Sequence, residues 1–353
     1  MPSPSHPSTT SRALHDVELH IAQDKIICIH SSTLRQCSGF FSSSLNWAEA
    51  GGSSPPIIYE LDLADDVDYD IFRKQTDNSK LEISAESPPG RDESYYRALF
   101  NLFDIFQHRS PSIAGLDDII ILIKLADKYD SLPTVSRAVR LHLMEAGGQP
   151  SSLYRDIAAD PVRYLHVGEK LRSSSITKEA ATHVLGTWSQ SREECRSILS
   201  ETFFGTLVQR HHELSEKKWA ANKQLLSLNL NPPRPTFVQN PLEDGAVIAL
   251  ARVRELISLA FSRCYQGSDY ENLEGEMYRE VAQSTAITYT LTPKVARAAI
   301  TFDSARSHLQ AKIALALGDL AEVHLQLQSE VLPGHITSAQ LKDSDLPWDG
   351  DWI

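Results

Sequence analysis

Several groups of residues have the types that hold metals, bind anions or move protons. Asp66-x-Asp68-x-Asp70 repeats the carboxylate spacing that opens an EF-hand calcium loop. Such a loop needs Gly at its sixth position for a sharp turn and a bidentate Glu at its twelfth. Ile71 and Asp77 stand there instead, so the segment reads as an acidic, solvated loop. Cys28, His30 and Cys37 offer zinc-type ligands, but no fourth ligand stands at finger spacing. Buried cysteines usually act as small apolar residues. His211-His212-Glu213 with Glu216 lacks the second His of a zinc-protease helix. Lys217, Lys218 and Lys223 flank Trp219 and have the charge to bind an anion. Glu213 and Glu216 lie one helical turn away, where they can pair with the lysines, so a charge-laced exposed helix is expected. The chain carries no phosphate-loop, dinucleotide or nucleophile-elbow pattern. No catalytic residue, cofactor, metal or small-molecule substrate is therefore expected.

The elements that would position these residues are set by length and charge. The 353 residues are enough for about two domains. Hydrophobic residues at 41% and charged residues at 23% give a globular balance. The net charge of -12 opposes binding to nucleic acid, which needs a basic surface, and docking on anionic lipid. The acidic excess is uneven: residues 1–150 hold 13 basic against 21 acidic residues, the remainder 21 against 25. Four cysteines cannot form a disulfide scaffold and fit a reducing compartment. The opening residues lack a secretory signal, and no apolar run approaches the ~20 residues of a membrane span. A cytoplasmic or nuclear location is expected.

Residues 1–11 are Pro- and Ser-rich and expected as a disordered leader. Val17, Leu19 and Ile21 then alternate with polar residues, the period of a half-buried strand. Residues 26–29 read as its hairpin partner. Leu34, Cys37, Phe40, Phe41 and Leu45 fall at helical steps and predict two short helices. Ile57, Tyr59, Leu61 and Leu63 predict a third strand, and residues 64–92 an acidic insert. Three amphipathic helices follow, through Tyr96–Phe106, Ile119–Tyr129 and Val135–Leu143. Beyond residue 150 the pattern is helical. Asp160-Pro161 opens one helix, and the next runs through Ile176, Ala180, Val184 and Trp188. Ser191-x-x-Glu194 reads as a capping box before a helix that runs towards Leu228 with a break near Gly205. Asp244 caps a segment burying Val247, Ile257 and Phe261, and Thr292-Pro293 starts a last helix through Leu317. The tail from 333 reads as polar and loose.

The order of elements in residues 12–147, with the residues inside them, resembles the BTB/POZ domain. Asp16-Val17-Glu18-Leu19 is similar to that family's opening strand, and Ile27-Cys28-Ile29-His30 to its apolar run ending in His. Thr33-Leu34 and Ser38-Gly39-Phe40-Phe41 follow at the family's spacing, and Leu125-Ala126-Asp127-Lys128-Tyr129 resembles its late helix. The core motif on this reading is Val17, Leu19, His30, Leu34, Phe40, Ala126, Asp127 and Tyr129. Tyr59-Glu60-Leu61-Asp62-Leu63, Tyr95-Tyr96-Arg97-Ala98, Leu171-Arg172-Ser173 and Lys178-Glu179-Ala180 further resemble a lineage of fungal BTB proteins, to about residue 190. Three features depart from the family: the insert of about 30 residues, Ser31 in place of a basic residue after His30, and Phe106-Gln107-His108 in place of Tyr-Thr-Gly.

The resemblance implies an α+β fold, a short sheet with a helical shell, over 12–147; the residue pattern adds an all-α domain over 148–332 and a tail over 333–353. It implies a non-enzymatic protein–protein interaction module: a cullin-3 ubiquitin-ligase adaptor, or alternatively a self-associating homodimeric scaffold. Trp47-Ala48-Glu49 corresponds to the hydrophobic-x-Glu element of cullin-3-binding members. Trp47 and Glu49, with Phe41 and Asp16, are the expected interaction residues. The alternative reading of Trp47 is closure of the domain's own core.

Overall fold

The computed structural model describes residues 15–22, 25–45, 57–62, 71–74, 93–145, 151–229, 245–266, 270–283, 296–325 and 333–350. The fold is α+β and divides into two compact units. The first takes the chain to Gln149 and also includes Lys170–Ser173; the second takes Pro150–Glu169 and Ser174–Gly350.

In the first unit β1 (Val17–Ala22) and β2 (Lys25–Ile29) form an antiparallel pair, with Val17 opposite Ile29 and Leu19 opposite Ile27. The alternation read in the sequence is realised: Val17, Leu19 and Ile21 are buried and Glu18 and His20 are only partly so. The chain then crosses through α1 (Ser31–Cys37) and α2 (Gly39–Ser44) and returns as β3 (Ile57–Asp62), parallel to β1. A parallel neighbour requires such a crossover, because a tight turn can only reverse the strand.

A fourth strand, β4 (Ile71–Lys74), pairs antiparallel with β3, giving the order β2-β1-β3-β4. It lies in the segment read as an acidic insert, for which the sequence predicts no strand. Only Ile71 and Phe72 are apolar there, too short a run to signal a strand, and pairing to β3 supplies what periodicity does not. The carboxylates of the EF-hand-like run, Asp66, Asp68 and Asp70, lie outside the described residues.

Helices α3 (Glu93–Phe106), α4 (Leu116–Lys128) and α5 (Leu132–Glu145) complete this unit. Its core is aromatic. Phe41 is fully buried, with ring centroids of Tyr59, Phe72, Phe103 and Tyr129 at 5.5, 6.1, 6.2 and 5.9 Å. Two of the four are edge-to-face and one is stacked, and pairs of this kind add about 0.5–1.5 kcal/mol each beyond area burial. Arg97 and Ala114 close the α3–α4 corner on Asp118, which is only 4% exposed: the guanidinium donates at 3.1 and 2.9 Å and the Ala114 N–H at 2.8 Å.

The second unit is helical. It contains α6 (Ser151–Ala159), α7 (Pro161–Lys170), α8 (Ser174–Gly186), α9 (Trp188–Ile198), α10 (Glu201–Leu226), α11 (Gly245–Cys264), α12 (Glu271–Ala282) and α13 (Ala296–Leu317). Residues along α10–α13, among them Leu225, Val253, Ile257, Tyr278, Leu309 and Ile313, form one continuous apolar core. Asp160 caps α7 as expected, its carboxylate accepting the Arg163 N–H at 3.4 Å. Asp244 and Thr292-Pro293 lie outside the described residues.

Three expectations are corrected here. Ser191 does not cap a helix: α9 already begins at Trp188 after Thr187, and Ser191 sits one turn inside, its hydroxyl 3.1 Å from that of Thr187. The break comes at Leu199-Ser200 and not at Gly205, because Ser200 accepts the Phe203 N–H and starts α10 there. The tail is not loose over 333–350. Ile336 and Leu341 are 2% and 3% exposed, Thr337 is fully buried, and a 3-10 turn forms at Asp343–Asp345.

Candidate interaction surfaces

The first candidate surface is the corner where β1 meets the start of α1. Helix N-termini leave backbone N–H groups without intrahelical partners. His30 at the cap position makes no side-chain cap bond. Asp16, fifteen residues earlier, takes that role: its carboxylate accepts the Ser31 N–H at 2.7 Å and the Ser31 hydroxyl at 2.5 Å. Burial pushes the Asp16 carboxyl up, but the Ser31 bonds outweigh it and hold the acid below its ordinary range. His30 Nδ1 lies 3.8 Å from Asp16, and the His30 ring lies 5.0 Å from that of His15. Asp16 and His30 side chains are about half exposed, so the corner presents a carboxylate and an imidazole to solvent. Ser31 satisfies Asp16 from within the chain.

The second element is a clamp between the α1–α2 and α4–α5 junctions. The Ser38 hydroxyl donates to the Tyr129 carbonyl at 2.5 Å and accepts the Phe41 N–H at 3.2 Å. The Gly39 N–H donates to the Asp130 carbonyl at 3.0 Å. Asp130 is left-handed with φ 47°, and its carboxylate lies 1.9 Å from where a Cβ on residue 39 would sit, so a larger residue there would have to displace the Asp130 side chain. Phe40 and Phe41 then pack on Tyr129 at 5.4 and 5.9 Å. Two motifs about ninety residues apart thus interlock.

The expected interaction residues fare differently. Phe41 is fully buried at the centre of the aromatic core and presents nothing to a partner; its place among contact residues is corrected to a core role. Trp47 and Glu49 lie outside the described residues. Among the core-motif residues Val17, Leu19, Leu34, Ala126 and Tyr129 are buried and Phe40 is half-buried. His30 and Asp127 are exposed, Asp127 accepting Lys170 Nζ at 3.0 Å.

In the second unit the basic face of α10 is neutralised, but not by the acids expected. Lys217 pairs with Asp319 at 2.7 Å and Lys218 with Glu274 at 2.5 Å, while Lys223 sits over the Trp219 ring at 5.0 Å. Glu213 pairs with Arg210 and Glu216 with His212. The partners come from α12 and the residues after α13, which helical spacing along α10 cannot reveal. Around Glu274, only 3% exposed, Tyr265 donates to its carboxylate at 3.1 Å and Tyr278 donates to Asn222 at 2.9 Å. Burial and the Glu274 charge push both phenols up and raise the Cys264 thiol to about 11. Burial likewise raises Cys195 to about 12 and Cys37 above its ordinary value. A nucleophilic cysteine needs the opposite shift. Lys218, Glu274, Tyr265, Tyr278 and Asn222 tie α10, α12 and the end of α11 together as structural polar contacts.

Sequence reasoning missed a further site, the bed of residues 333–350. The Glu276 N–H donates to the Gly334 carbonyl at 2.8 Å, and Thr182 Oγ1 donates to the Ala339 carbonyl at 3.2 Å. Lys178 meets Asp343 at 2.7 Å, and Arg210 binds the nearly buried Asp345 carboxylate. His183 and His335 rings face each other with Nδ1 and Nε2 3.1 Å apart. Burial, with His335 beside His183 and Arg279 beside His335, pushes both imidazoles down to about 4. A cavity of about 630 Å³ lies alongside, lined in part by Lys178, Arg210, Lys217, Asp319, His324 and Lys342.

Among the described residues no three His, Cys, Asp or Glu side chains are grouped to hold a metal ion, and no helix is long and apolar enough to cross a membrane. No family model matches the chain, and neither a curated protein nor a solved structure does.

Proposed function

We propose that the protein is a non-enzymatic interaction scaffold whose first unit is a BTB/POZ-type docking domain and whose helical unit recruits a second protein. The observation that supports this reading is the clamp of Ser38-Gly39-Phe40-Phe41 on Tyr129-Asp130, beside a paired β1–β2 hairpin. Residues quoted from opposite ends of the family resemblance meet in one core, as a shared domain requires.

Within this reading the partner is cullin-3, engaged through Trp47 and Glu49. A buried aromatic anchor beside a charge carries most of the binding energy in such contacts, about 2 kcal/mol or more on truncation. Cullin-3 is expected to co-purify with the intact protein and to be lost, by roughly 30-fold, with Trp47→Ala. Unchanged capture by the variant, or no capture by the intact protein, overturns the adaptor reading.

A second reading, self-association, is favoured by the sheet edge. β2 ends the strand order and exposes Ile26 at 47% along with Cys28. An edge strand with exposed apolar side chains is a template for pairing with another copy. A dimer by light scattering at micromolar concentration, converted to monomer by Ile26→Lys, supports it; a monomeric intact protein refutes it.

A further inference from the structure

The second unit holds residues 333–350 the way a peptide-binding domain holds a ligand. Apart from the 3-10 turn at Asp343–Asp345, this segment has no helix or strand of its own. Its order comes from the bed. Backbone groups at Gly334 and Ala339 are read by Glu276 and Thr182. Thr337 and Gln340 donate to the Glu322 and His324 carbonyls at 3.4 and 3.0 Å.

Ile336, Leu341 and Trp348 are the apolar anchors, Trp348 packing 6.5 Å from Phe203. Asp343 and Asp345 are the acidic anchors, on Lys178 and Arg210. Two glycines clear the lane. A Cβ on Gly275 would lie 2.1 Å from the His335 carbonyl oxygen, and one on Gly186 2.4 Å from that of Ile336. Close backbone approach of this kind is a reason for Gly in a helix that would otherwise favour Ala.

The resident segment fits imperfectly. Arg279 is only 8% exposed. Its Nη2 donates to the Pro333 carbonyl, but its buried Nη1 has no partner. The buried Trp348 Nε1 also lacks one. Each buried donor left unmade is costly. The cavity beside the acidic turn stays open, walled by the Lys217–Asp319 pair and by Lys178 and Arg210. His335, pushed down to about 4 by burial and by Arg279, lies 3.1 Å from His183, so the segment places an imidazole and no carboxylate there, and the one acid acting on Arg279 is Glu276 of its own helix.

We propose that this bed is a binding site for an acidic, extended peptide of a partner protein, held closed in the free chain by residues 333–350. The preferred ligand carries a carboxylate at the place of His335, to take Arg279 Nη1 and His183. It carries an Asp-x-Asp pair for Lys178 and Arg210, and an apolar residue at each of the Ile336, Leu341 and Trp348 places. The inference rests on the second unit alone and does not depend on the BTB/POZ reading of the first. The tethered segment competes at an effective concentration in the millimolar range, so only a better-matched peptide displaces it.

The test uses the full chain and a fluorescent peptide of residues 333–350, followed by anisotropy, with helical content checked by circular dichroism. Asp343→Lys with Asp345→Lys in the protein repels the resident segment from Lys178 and Arg210. That variant is expected to bind the native-sequence peptide at least tenfold more tightly than the unaltered protein does. A peptide with His335→Glu is expected to bind the variant several-fold more tightly than the native sequence. Adding Lys178→Glu and Arg210→Glu to the variant re-pairs the resident segment and is expected to abolish binding of both peptides. Equal binding by the unaltered protein and the variant overturns the proposal, as does no binding to either. Loss of helical signal in the Asp343→Lys, Asp345→Lys protein also overturns it, because a displaceable segment must leave the unit folded. No gain from the Glu peptide removes the role assigned to Arg279.

Discussion

Replacing Gly275 by Ala should weaken a helix that, on propensity alone, it should strengthen. Gly275 lies inside α12, where Gly is about 1 kcal/mol worse than Ala. The new methyl would lie 2.1 Å from the His335 carbonyl oxygen and 2.4 Å from its carbon. Both are backbone atoms, so the overlap cannot be relieved by turning a side chain, and the segment must retreat by about an ångström to reach ordinary packing distance. Overpacking of this size costs about 1–3 kcal/mol. The retreat also strains the Glu276–Gly334 hydrogen bond, worth about 0.5–1.5 kcal/mol. Set against the helix gain, the net is a loss of about 0.5–3.5 kcal/mol. Gly205→Ala in α10 is the matched control: nothing lies within 4 Å of its Cβ position, so it should gain about 0.4–1 kcal/mol. Native-state hydrogen exchange reads both, amide by amide, and keeps the two units separate. Gly275→Ala should lower protection at Glu276 and across 333–350, and Gly205→Ala should raise it in α10. A Gly275→Ala protein as stable as the unaltered chain, with Glu276 still protected, would refute the argument that this glycine exists to admit the segment.

Two further predictions concern the cores. His183 and His335 bind protons at about 4 in the folded protein against about 6.5 unfolded, with Arg279 the charged group facing them. Between those values the unfolded chain holds more protons, so the second unit should be fully stable above about pH 6.5 and lose stability as the pH falls towards 4, by up to about 3 kcal/mol per His; urea midpoints at pH 7 and 4.5 measure this, and His335→Asn should remove about half of the slope. In the first unit, Phe72→Ala deletes a ring packed on Phe41, Phe103 and Tyr129 and should cost about 3–5 kcal/mol, seen as lost amide protection in β3 and α3 but none in α11–α13.

Elements whose signal is local were legible in the sequence. The period-two run of Val17, Leu19 and Ile21 became β1, and the spacing of Tyr96, Leu99, Phe103 and Phe106 became the buried face of α3. Asp160-Pro161 started α7 because a cap acts within one turn. What failed depended on distant partners. Phe72 is a core residue only because β3 pairs with β4. Ser191 has the residue type of a cap, but Thr187 begins the helix a turn earlier. Asp16 caps a helix fifteen residues away, a relation that no pattern of adjacent residues encodes.

Residues 333–350 show why composition misleads at a chain's polar end. Their apolar residues are few and widely spaced, which reads as a loose tail. The order lies in what receives them: glycines in α8 and α12, Thr182 and Lys178 on α8, and Arg210 on α10. Gly275 leaves α12 weaker than Ala would, by about 1 kcal/mol, and the His335 backbone of the segment occupies the space it opens. Arg279 is different, because its desolvation is unrewarded at Nη1. A bed that leaves a buried guanidinium half-satisfied is not optimised for the segment it now holds. That cost is offset when a carboxylate-bearing strand takes the place of 333–350, and this is the physical reason to look for its ligand outside the chain.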